Sequence, residues 1–307
     1  MATILAIDDG AASIAQIQTF MRGCSIEATR PTREEITALG EILPANSLVY
    51  LTAIPGKPIE ELVGSSIALR QVGLTPVPHL SARHFTDLAA VGRLLGDLSK
   101  RASVDKIMLV GGDIPKPMGE VRDVLSLIET GILEEHGVQH VGLPGFPQGH
   151  PHLSADEIEA NLLTKLAALQ QRGIEGEIVT QFCFDAKPIV GWIDWLRARG
   201  VHAPVRIGLA GPTSLLTWLN YARKCGVKAS AEALATRSGL VKQAFKAVAP
   251  DPLIRSLAKA AGEGAIDDVR AHLFAFGGLV QTAQWVKAPR EGAVRLNAEG
   301  GFDPLPR

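Results

Sequence analysis

Polar side chains in this sequence repeatedly stand where a short apolar run ends. The run KIMLV at residues 106–110 breaks directly into Gly111-Gly112-Asp113. The two glycines let the backbone approach a flat ligand or adopt positive φ, and Asp113 places a carboxylate at that point. This arrangement suits a binding site at the carboxyl end of a parallel strand. The alternative interpretation is a tight turn whose aspartate caps the next helix.

Glu27 is a second candidate, because it interrupts an apolar run between Ile26 and Ala28. Barrel strands fill their interiors with Val, Ile and Leu, so an acid in such a strand is expected to be partly buried. Burial disfavours the charged carboxylate and raises its pKa, which suits a general acid near neutral pH. The alternative is a structural ion pair with Arg30 or Arg83.

Further polar residues stand at the ends of other apolar runs. These are Thr52, His79, His150, Gln181 and Asp185. Gln181 lies in the segment TQFCFD at residues 180–185, whose amide and aromatic side chains suit stacking on a planar heterocycle and hydrogen bonding to its edge. Packing of these aromatic rings inside a barrel is the alternative. His79 is interpreted either as a hydrogen-bonded structural group or as a base.

A metal site is a rival interpretation of the histidines. His150 and His152, with His79 and Asp113, are residue types that bind divalent metals in barrel hydrolases. However, no HxH pair follows the first strand, and no lysine or cysteine is placed to complete a ligand set. We therefore predict no metal.

The elements that must position these residues follow an alternating pattern. Short apolar runs are expected as strands at residues 24–28, 48–52, 75–79, 106–110, 140–143, 177–182, 205–209 and 272–276. Helical patterns separate them, with capping boxes at Thr32–Glu35 and Ser154–Glu157, a helix at 119–135 and extra helical pieces at 231–248 and 252–261.

This alternation predicts an α/β protein, a (β/α)₈ TIM barrel in a single domain with extra helices. The barrel is expected to span residues 1–290, and residues 291–307 are expected to form a C-terminal tail. A doubly wound sheet is the alternative, but the sequence contains neither GxGxxG after a strand nor GxxxxGK[ST].

Composition narrows the class of protein. The chain has 307 residues, of which 46% are hydrophobic and 21% charged, with a formal net charge of −1. Near-zero charge without a basic block argues against nucleic-acid and membrane-surface partners. No apolar run approaches the ~20 residues of a spanning helix. The N-terminus has no basic signal-peptide region, and the three cysteines are far apart, which predicts a cytoplasmic protein.

Five segments, in order, resemble motifs of the methylenetetrahydrofolate reductase family. SIEATRP (25–31) resembles SFEFFPP, PHL (78–80) resembles PHL(T), GDIP (112–115) resembles RGD(L/I)P, FPQGHP (146–151) resembles YPEGHP, and TQFCFD (180–185) resembles ITQFFFD. Each motif alone is weakly specific. Together they agree in order and approximate spacing from about Cys24 to Cys225.

The resemblance implies a one-carbon oxidoreductase that serves methionine biosynthesis or methyl-group catabolism. Such an enzyme interconverts 5,10-methylenetetrahydrofolate and 5-methyltetrahydrofolate by hydride transfer with NADH or NADPH, through FAD or directly. Glu27 would be the acid that helps to open the imidazolidine ring, Asp113 would face the pterin or flavin ring, and Gln181 with Phe184 would hold the pterin. The resemblance assigns to the flavin site Thr52, His79, Gly112, Phe146, His150 and Lys165.

Departures from the family pattern lie mainly on the flavin side. The family's arginine before Gly-Asp is Gly111 here, and its helix lysine falls on Leu169, with Lys165 one turn earlier as a substitute. We therefore expect FAD to bind weakly or to be dispensable for the reaction. Two rivals stay open: a divalent-metal barrel hydrolase or lyase, and a non-catalytic folate-binding protein. The oligomeric state, a homo-oligomer included, is also left open.

Overall fold

Short aliphatic runs form the strands of the protein. The computed structural model describes residues 13–53, 58–227, 247–276 and 278–305. Its strands are β1 (Ser25–Ala28), β2 (Leu48–Leu51), β3 (Thr75–Ser81), β4 (Lys106–Val110), β5 (His140–Gly145), β6 (Glu175–Thr180), β7 (Val205–Ala210), β8 (Thr213–Ser214), β9 (Ala247–Val248), β10 (Val269–Phe274), β11 (Val294–Leu296) and β12 (Phe302–Pro304).

Eight of these strands close into a parallel barrel in the order β1-β10-β7-β6-β5-β4-β3-β2. The predicted (β/α)₈ barrel is therefore confirmed. In the register of β1 and β2, Glu27 lies beside Tyr50, and in the register of β3 and β4, His79 lies beside Met108. Because side chains alternate along a strand, neighbours in register project from the same face of the sheet.

Helices connect the barrel strands. They are α1 (residues 13–21), α2 (Arg33–Ile42), α3 (Ile59–Gln71), α4 (Leu88–Ala102), α5 (Val124–Glu129), α6 (Ile132–Glu135), α7 (Ala155–Gln171), α8 (Ala186–Ala198), α9 (Leu215–Lys224), α10 (Asp251–Gly262) and α11 (Leu279–Glu291). A single 3₁₀ turn, Ala82–His84, follows β3. No helix among the described residues is long and apolar enough to cross a membrane.

Contacts divide the described chain into two units, Ser25–Val179 and Met1–Cys24 with Thr180–Arg307. The first unit contains a buried cluster of barrel side chains, Tyr50, Val77, Met108 and Val179. The second contains a buried cluster of Phe182, Ala210, Trp218 and Ala222. The candidate residues Gln181 and Phe184 belong to the second unit, whereas all other candidate site residues belong to the first.

Both predicted capping boxes are present, at the first residues of α2 and α7. The Thr32 hydroxyl accepts a hydrogen bond from the Glu35 N–H at 3.2 Å, and the Glu35 carboxylate accepts one from the Thr32 N–H at 2.8 Å. Ser154 and Glu157 make the same reciprocal pair. These bonds satisfy N–H groups that have no partner within the helix.

The helix predicted at residues 119–135 is wrong in extent. Helical structure is confined to α5 and α6, which Gly131 separates at a φ of +82°. The Met118 and Glu120 N–H groups donate to the carbonyl groups of Arg83 and Thr86, so this part of the chain is bonded to the segment after β3. Asp123, rather than a residue near 119, caps α5.

Further differences from the predicted elements lie in the second half of the chain. The eighth barrel strand begins at Val269 instead of residue 272, and Thr213–Ser214 forms a short strand that pairs with Ala247–Val248. Residues 231–246 of the predicted extra helix lie outside the described residues. Within the predicted C-terminal tail, Val294–Leu296 pairs antiparallel with Phe302–Pro304.

Removing the cap of α7 should lower the free energy of unfolding. We expect Ser154→Ala to cost about 1 kcal/mol, because the Glu157 N–H loses its acceptor. Thr164→Ala, at an exposed position inside the same helix, is the control and should have no cost. Urea unfolding monitored by circular dichroism measures both. Equal effects of the two changes would show that the cap contributes nothing specific.

Candidate active site

Glu27 lies at the carboxyl end of β1 with a side chain that is 16% exposed. Its Oε1 accepts a hydrogen bond from the Thr52 hydroxyl at 3.2 Å, and its Oε2 lies 3.6 Å from Nε2 of His79. Thr52 in turn accepts a hydrogen bond from Thr29 at 3.3 Å. The ends of three consecutive strands thus bring an acid, a hydroxyl and an imidazole together. This group can donate or accept a proton and bind a polar ligand.

The two arginines considered as structural partners of Glu27 are engaged elsewhere. Nε of Arg30 lies 3.1 Å from a carboxylate oxygen of Glu61 on α3. Arg83 donates to the carbonyl groups of Gly111 and Gly112. Glu27 itself contacts the Thr52 hydroxyl and the His79 imidazole.

A second buried carboxylate, that of Glu177 on β6, lies in the same barrel unit. Its side chain is 9% exposed; it accepts a short hydrogen bond from the Tyr50 hydroxyl, and Nζ of Lys106 lies 3.8 Å away. The Tyr50 ring packs edge-on against the His79 ring, with centroids 6.0 Å apart. A connected series of contacts therefore leads from Lys106 and Glu177 through Tyr50 to His79 and Glu27.

Sequence reasoning missed Tyr50 and Glu177, and took Lys106 only as the residue leading into a strand. Lys106 and Glu177 stand near the amino ends of β4 and β6, where charged residues ordinarily face solvent. One available signal was alternation: Tyr50 lies two residues before Thr52, so both side chains project from one face of the strand. A tyrosine on that face needs a partner for its hydroxyl, which Glu177 supplies.

A cavity of about 730 Å³ opens beside the Glu27 group. Residues at or after the ends of β1, β2 and β3 and residues of α2 and α3 line it. Its polar lining includes Arg30, Thr32, Thr52, His79, Ser81 and His84. Because Thr52 and His79 both contact Glu27 and line this cavity, a ligand that enters it reaches the proton-handling group.

Asp113 lies at the end of β4 with a side chain that is 72% exposed. One of its carboxylate oxygens is 2.8 Å from Nε2 of His84. Gly112 has a φ of +97°, and an added Cβ there would lie 2.8 Å from the His84 ring. The glycine therefore permits both the left-handed backbone and the close approach of the histidine. The interpretation of Asp113 as a helix cap is wrong, since Asp123 has that role.

Phe146 and His150 form a separate aromatic group after β5. Their ring centroids are 5.0 Å apart, and the His152 ring is 5.7 Å from that of His150. Burial, followed by the charge of His152, lowers the pKa of His150. The imidazole of His150 therefore favours its neutral form, which can accept a hydrogen bond; its Nδ1 accepts one from the His152 N–H at 3.3 Å.

Lys165 projects from α7 and is partly buried. Burial is the largest cause that lowers the pKa of its ammonium group; nearby Asp123 raises this pKa, and Arg83 lowers it. Lys165 has no ion-pair partner among the described residues. Leu169, where the family pattern places a lysine, is fully buried and packs in the core.

Gln181 and Phe184 lie in the unit that contains Thr180–Arg307. The Gln181 side-chain oxygen accepts a hydrogen bond from the Phe182 N–H at 3.0 Å, and Phe184 packs against Phe182 and Trp218. Asp185 accepts from the Lys187 N–H and caps α8. Burial, with the Asp185 charge, raises the pKa of the Cys183 thiol to about 12, so this residue is a packing group and not a nucleophile.

The rival metal set does not assemble. His79 lies beside Glu27, Asp113 beside His84, and His150 beside His152. Across the described ranges, no three His, Cys, Asp or Glu side chains are grouped as metal ligands.

Comparison with known proteins assigns no family. No family model matches the chain. A conserved protein of unknown function from Enterococcus faecalis is similar at 11% identity and a TM-score of 0.41, covering 84% of this chain and 66% of that one. A sugar phosphate isomerase/epimerase from Parabacteroides distasonis is similar at 10% identity and a TM-score of 0.41, covering 87% and 94%. The chain thus spans just under two thirds of the first structure.

Removing the Tyr50 hydroxyl should destabilise the barrel. We expect Tyr50→Phe to lower the free energy of unfolding by about 1–3 kcal/mol, because the buried Glu177 carboxylate loses a donor. Tyr221→Phe is the matched control, since the Tyr221 hydroxyl makes no hydrogen bond within the described part of the chain. Urea unfolding of both variants measures the difference. If the two substitutions had the same effect, the Tyr50–Glu177 bond would be energetically neutral.

Proposed function

We propose that this protein is a methylenetetrahydrofolate reductase-like oxidoreductase. It would interconvert 5,10-methylenetetrahydrofolate and 5-methyltetrahydrofolate with NADH or NADPH as the hydride partner. The observation that carries the proposal is the partly buried Glu27, held by Thr52 and facing His79, beside a cavity of about 730 Å³. The five motifs that resemble this family support the same reaction.

Glu27 has the chemistry that ring opening needs. In 5,10-methylenetetrahydrofolate one carbon bridges N5 and N10, and breaking its bond to N10 leaves an N5-iminium. The proton that N10 then requires comes from the Glu27 carboxyl group. Hydride from NAD(P)H adds to the iminium carbon, which gives the N5-methyl product and NAD(P)⁺. The Thr52 hydroxyl, a donor to Glu27, orients the carboxyl group.

Asp113 is proposed as a pterin contact, and the resemblance assigns a pterin contact to Gln181 and Phe184 as well. A pterin presents N–H donors and ring acceptors at its edge, which suit a carboxylate and an amide. The largely exposed Asp113 carboxylate has oxygen lone pairs beyond the one that faces His84. The Gln181 amide uses its oxygen on the Phe182 N–H, which leaves its NH₂ group to donate to the pterin.

The resemblance implies FAD, so cationic side chains must be available to hold the flavin pyrophosphate. Nη2 of Arg83 lies 3.2 Å from where a Cβ on Gly111 would stand, so the Arg83 guanidinium lies beside Gly111. Leu169, where the resemblance places a lysine, is fully buried. Arg83 and Lys165 are therefore the residues that would hold a flavin pyrophosphate. FAD, when bound, would relay hydride between NAD(P)H and the folate.

Exchanging the proposed acid should abolish turnover without abolishing binding. We expect Glu27→Gln to retain affinity for 5-methyltetrahydrofolate and to lose roughly 10²–10⁴-fold in kcat. Glu60→Gln, at an exposed position in the first turn of α3, is the control and should be fully active. NADH oxidation with methylenetetrahydrofolate measures kcat. Near-normal activity of Glu27→Gln would remove the assignment, and a wild-type protein that binds folate without turnover would favour the non-catalytic rival.

We expect FAD to bind weakly enough to be lost on extensive dialysis. Arg83 already uses two N–H groups on backbone carbonyls, and the burial that lowers the pKa of Lys165 opposes its charged form. Lys165→Met should weaken FAD binding further, whereas the exposed Lys187→Met should not. Quenching of flavin fluorescence measures affinity. Stoichiometric FAD retained through dialysis would contradict this prediction, and flavin-free NADH oxidation would indicate direct transfer.

A further inference from the structure

Arg83, in the 3₁₀ turn after β3, binds the backbone of the glycine pair after β4. Its Nε donates to the Gly111 carbonyl at 3.1 Å, its Nη2 donates to the Gly112 carbonyl at 2.7 Å, and its backbone N–H also donates to the Gly111 carbonyl at 3.1 Å. Its own carbonyl accepts from the Met118 N–H at 2.8 Å. Both ends of the segment after β4 are thus tied to one residue.

His84, the next residue, binds the side chain that the glycine pair presents. Its Nε2 is 2.8 Å from Oδ1 of Asp113. The His84 side chain is 17% exposed, whereas that of Asp113 is 72% exposed. The histidine is therefore the anchored partner, and the aspartate is the one whose orientation this contact determines.

We propose that Arg83 and His84 are positioning residues that hold Asp113 ready for its ligand. Arg83 sets the backbone of Gly111 and Gly112 by bridging their carbonyl groups, and His84 selects one orientation of the Asp113 carboxylate. The proposal rests on the proposed function only in taking Asp113 as a folate contact. An exposed carboxylate otherwise samples several rotamers, and their loss on binding weakens affinity.

The expected effect on binding follows from this loss of rotamer freedom. His84→Ala should weaken 5-methyltetrahydrofolate binding by about 2- to 10-fold, which is the cost of ordering one side chain. The same change in an Asp113→Ala background should have a smaller effect, because His84 then has no Asp113 carboxylate to orient. His84→Gln, which keeps an N–H donor, should recover part of the affinity.

A matched histidine–carboxylate pair provides the control. Nδ1 of His140 lies 3.1 Å from Glu175, and both residues stand at the amino ends of their strands, away from the carboxyl-end residues. His140→Ala should leave folate affinity unchanged. Isothermal titration calorimetry with 5-methyltetrahydrofolate measures all these variants.

Hydrogen exchange tests the positioning role without folate. Exchange of the peptide that covers residues 108–118 should be faster in His84→Ala and in Arg83→Lys, because the lysine keeps the charge but cannot bridge two carbonyls. Unchanged exchange in both variants would overturn the proposal, as would equal weakening of folate binding by His84→Ala with and without Asp113. If the wild-type protein binds no folate but exchange responds as expected, the positioning role stands and the proposed function fails.

Discussion

A carboxylate placed inside a closed sheet is costly unless hydrogen-bond donors or positive charge surround it, and this barrel places two there. Glu177 is held by the Tyr50 hydroxyl with Lys106 close by, and Glu27 by the Thr52 hydroxyl with His79 close by. The rings of Tyr50 and His79 touch, so the two groups share one packed unit. A change in the Tyr50–Glu177 pair therefore alters the surroundings of His79 and Glu27.

The two carboxylates, those of Glu177 and Glu27, differ in the groups that surround them. Glu177 has the Tyr50 phenol and the Lys106 ammonium group beside it, and its side chain is 9% exposed. Glu27 has a hydroxyl and an imidazole beside it, and these partners line a cavity. A proton exchanged at Glu27 can therefore be shared with His79 or passed to a ligand, which is the property that an acid catalyst needs.

The glycine pair after β4 is contacted by a charged side chain from the turn that follows β3. Gly111 carries no charge, and the guanidinium of Arg83 fills the adjacent space. Parallel strands of a barrel end at one edge, so the residue that follows β3 can serve the residue that follows β4. A cation therefore lies beside position 111 although the residue there carries no charge.

Local sequence determined much of this protein. Strand and helix alternation predicted the barrel, and Thr32–Glu35 and Ser154–Glu157 predicted where two helices begin, because capping depends on residues three apart. Glu27 stood out as a candidate because an acid inside an apolar strand is unusual. Where prediction was wrong, as in the helix at 119–135, backbone N–H groups bond to a segment distant in the sequence, as the Glu120 N–H does to the Thr86 carbonyl at 3.3 Å.

Only the tertiary structure determined which residues hydrogen-bond to one another across the chain. Tyr50 and Glu177 are 127 residues apart, and Arg83 reaches Gly111 across 28 residues. No periodicity or spacing along the chain encodes such contacts, since they depend on the order and register in which the barrel strands pair. The sequence alone therefore determined which strand ends carry reactive side chains. Closure of the barrel decided that Glu27 faces His79 and that Asp113 is held by His84.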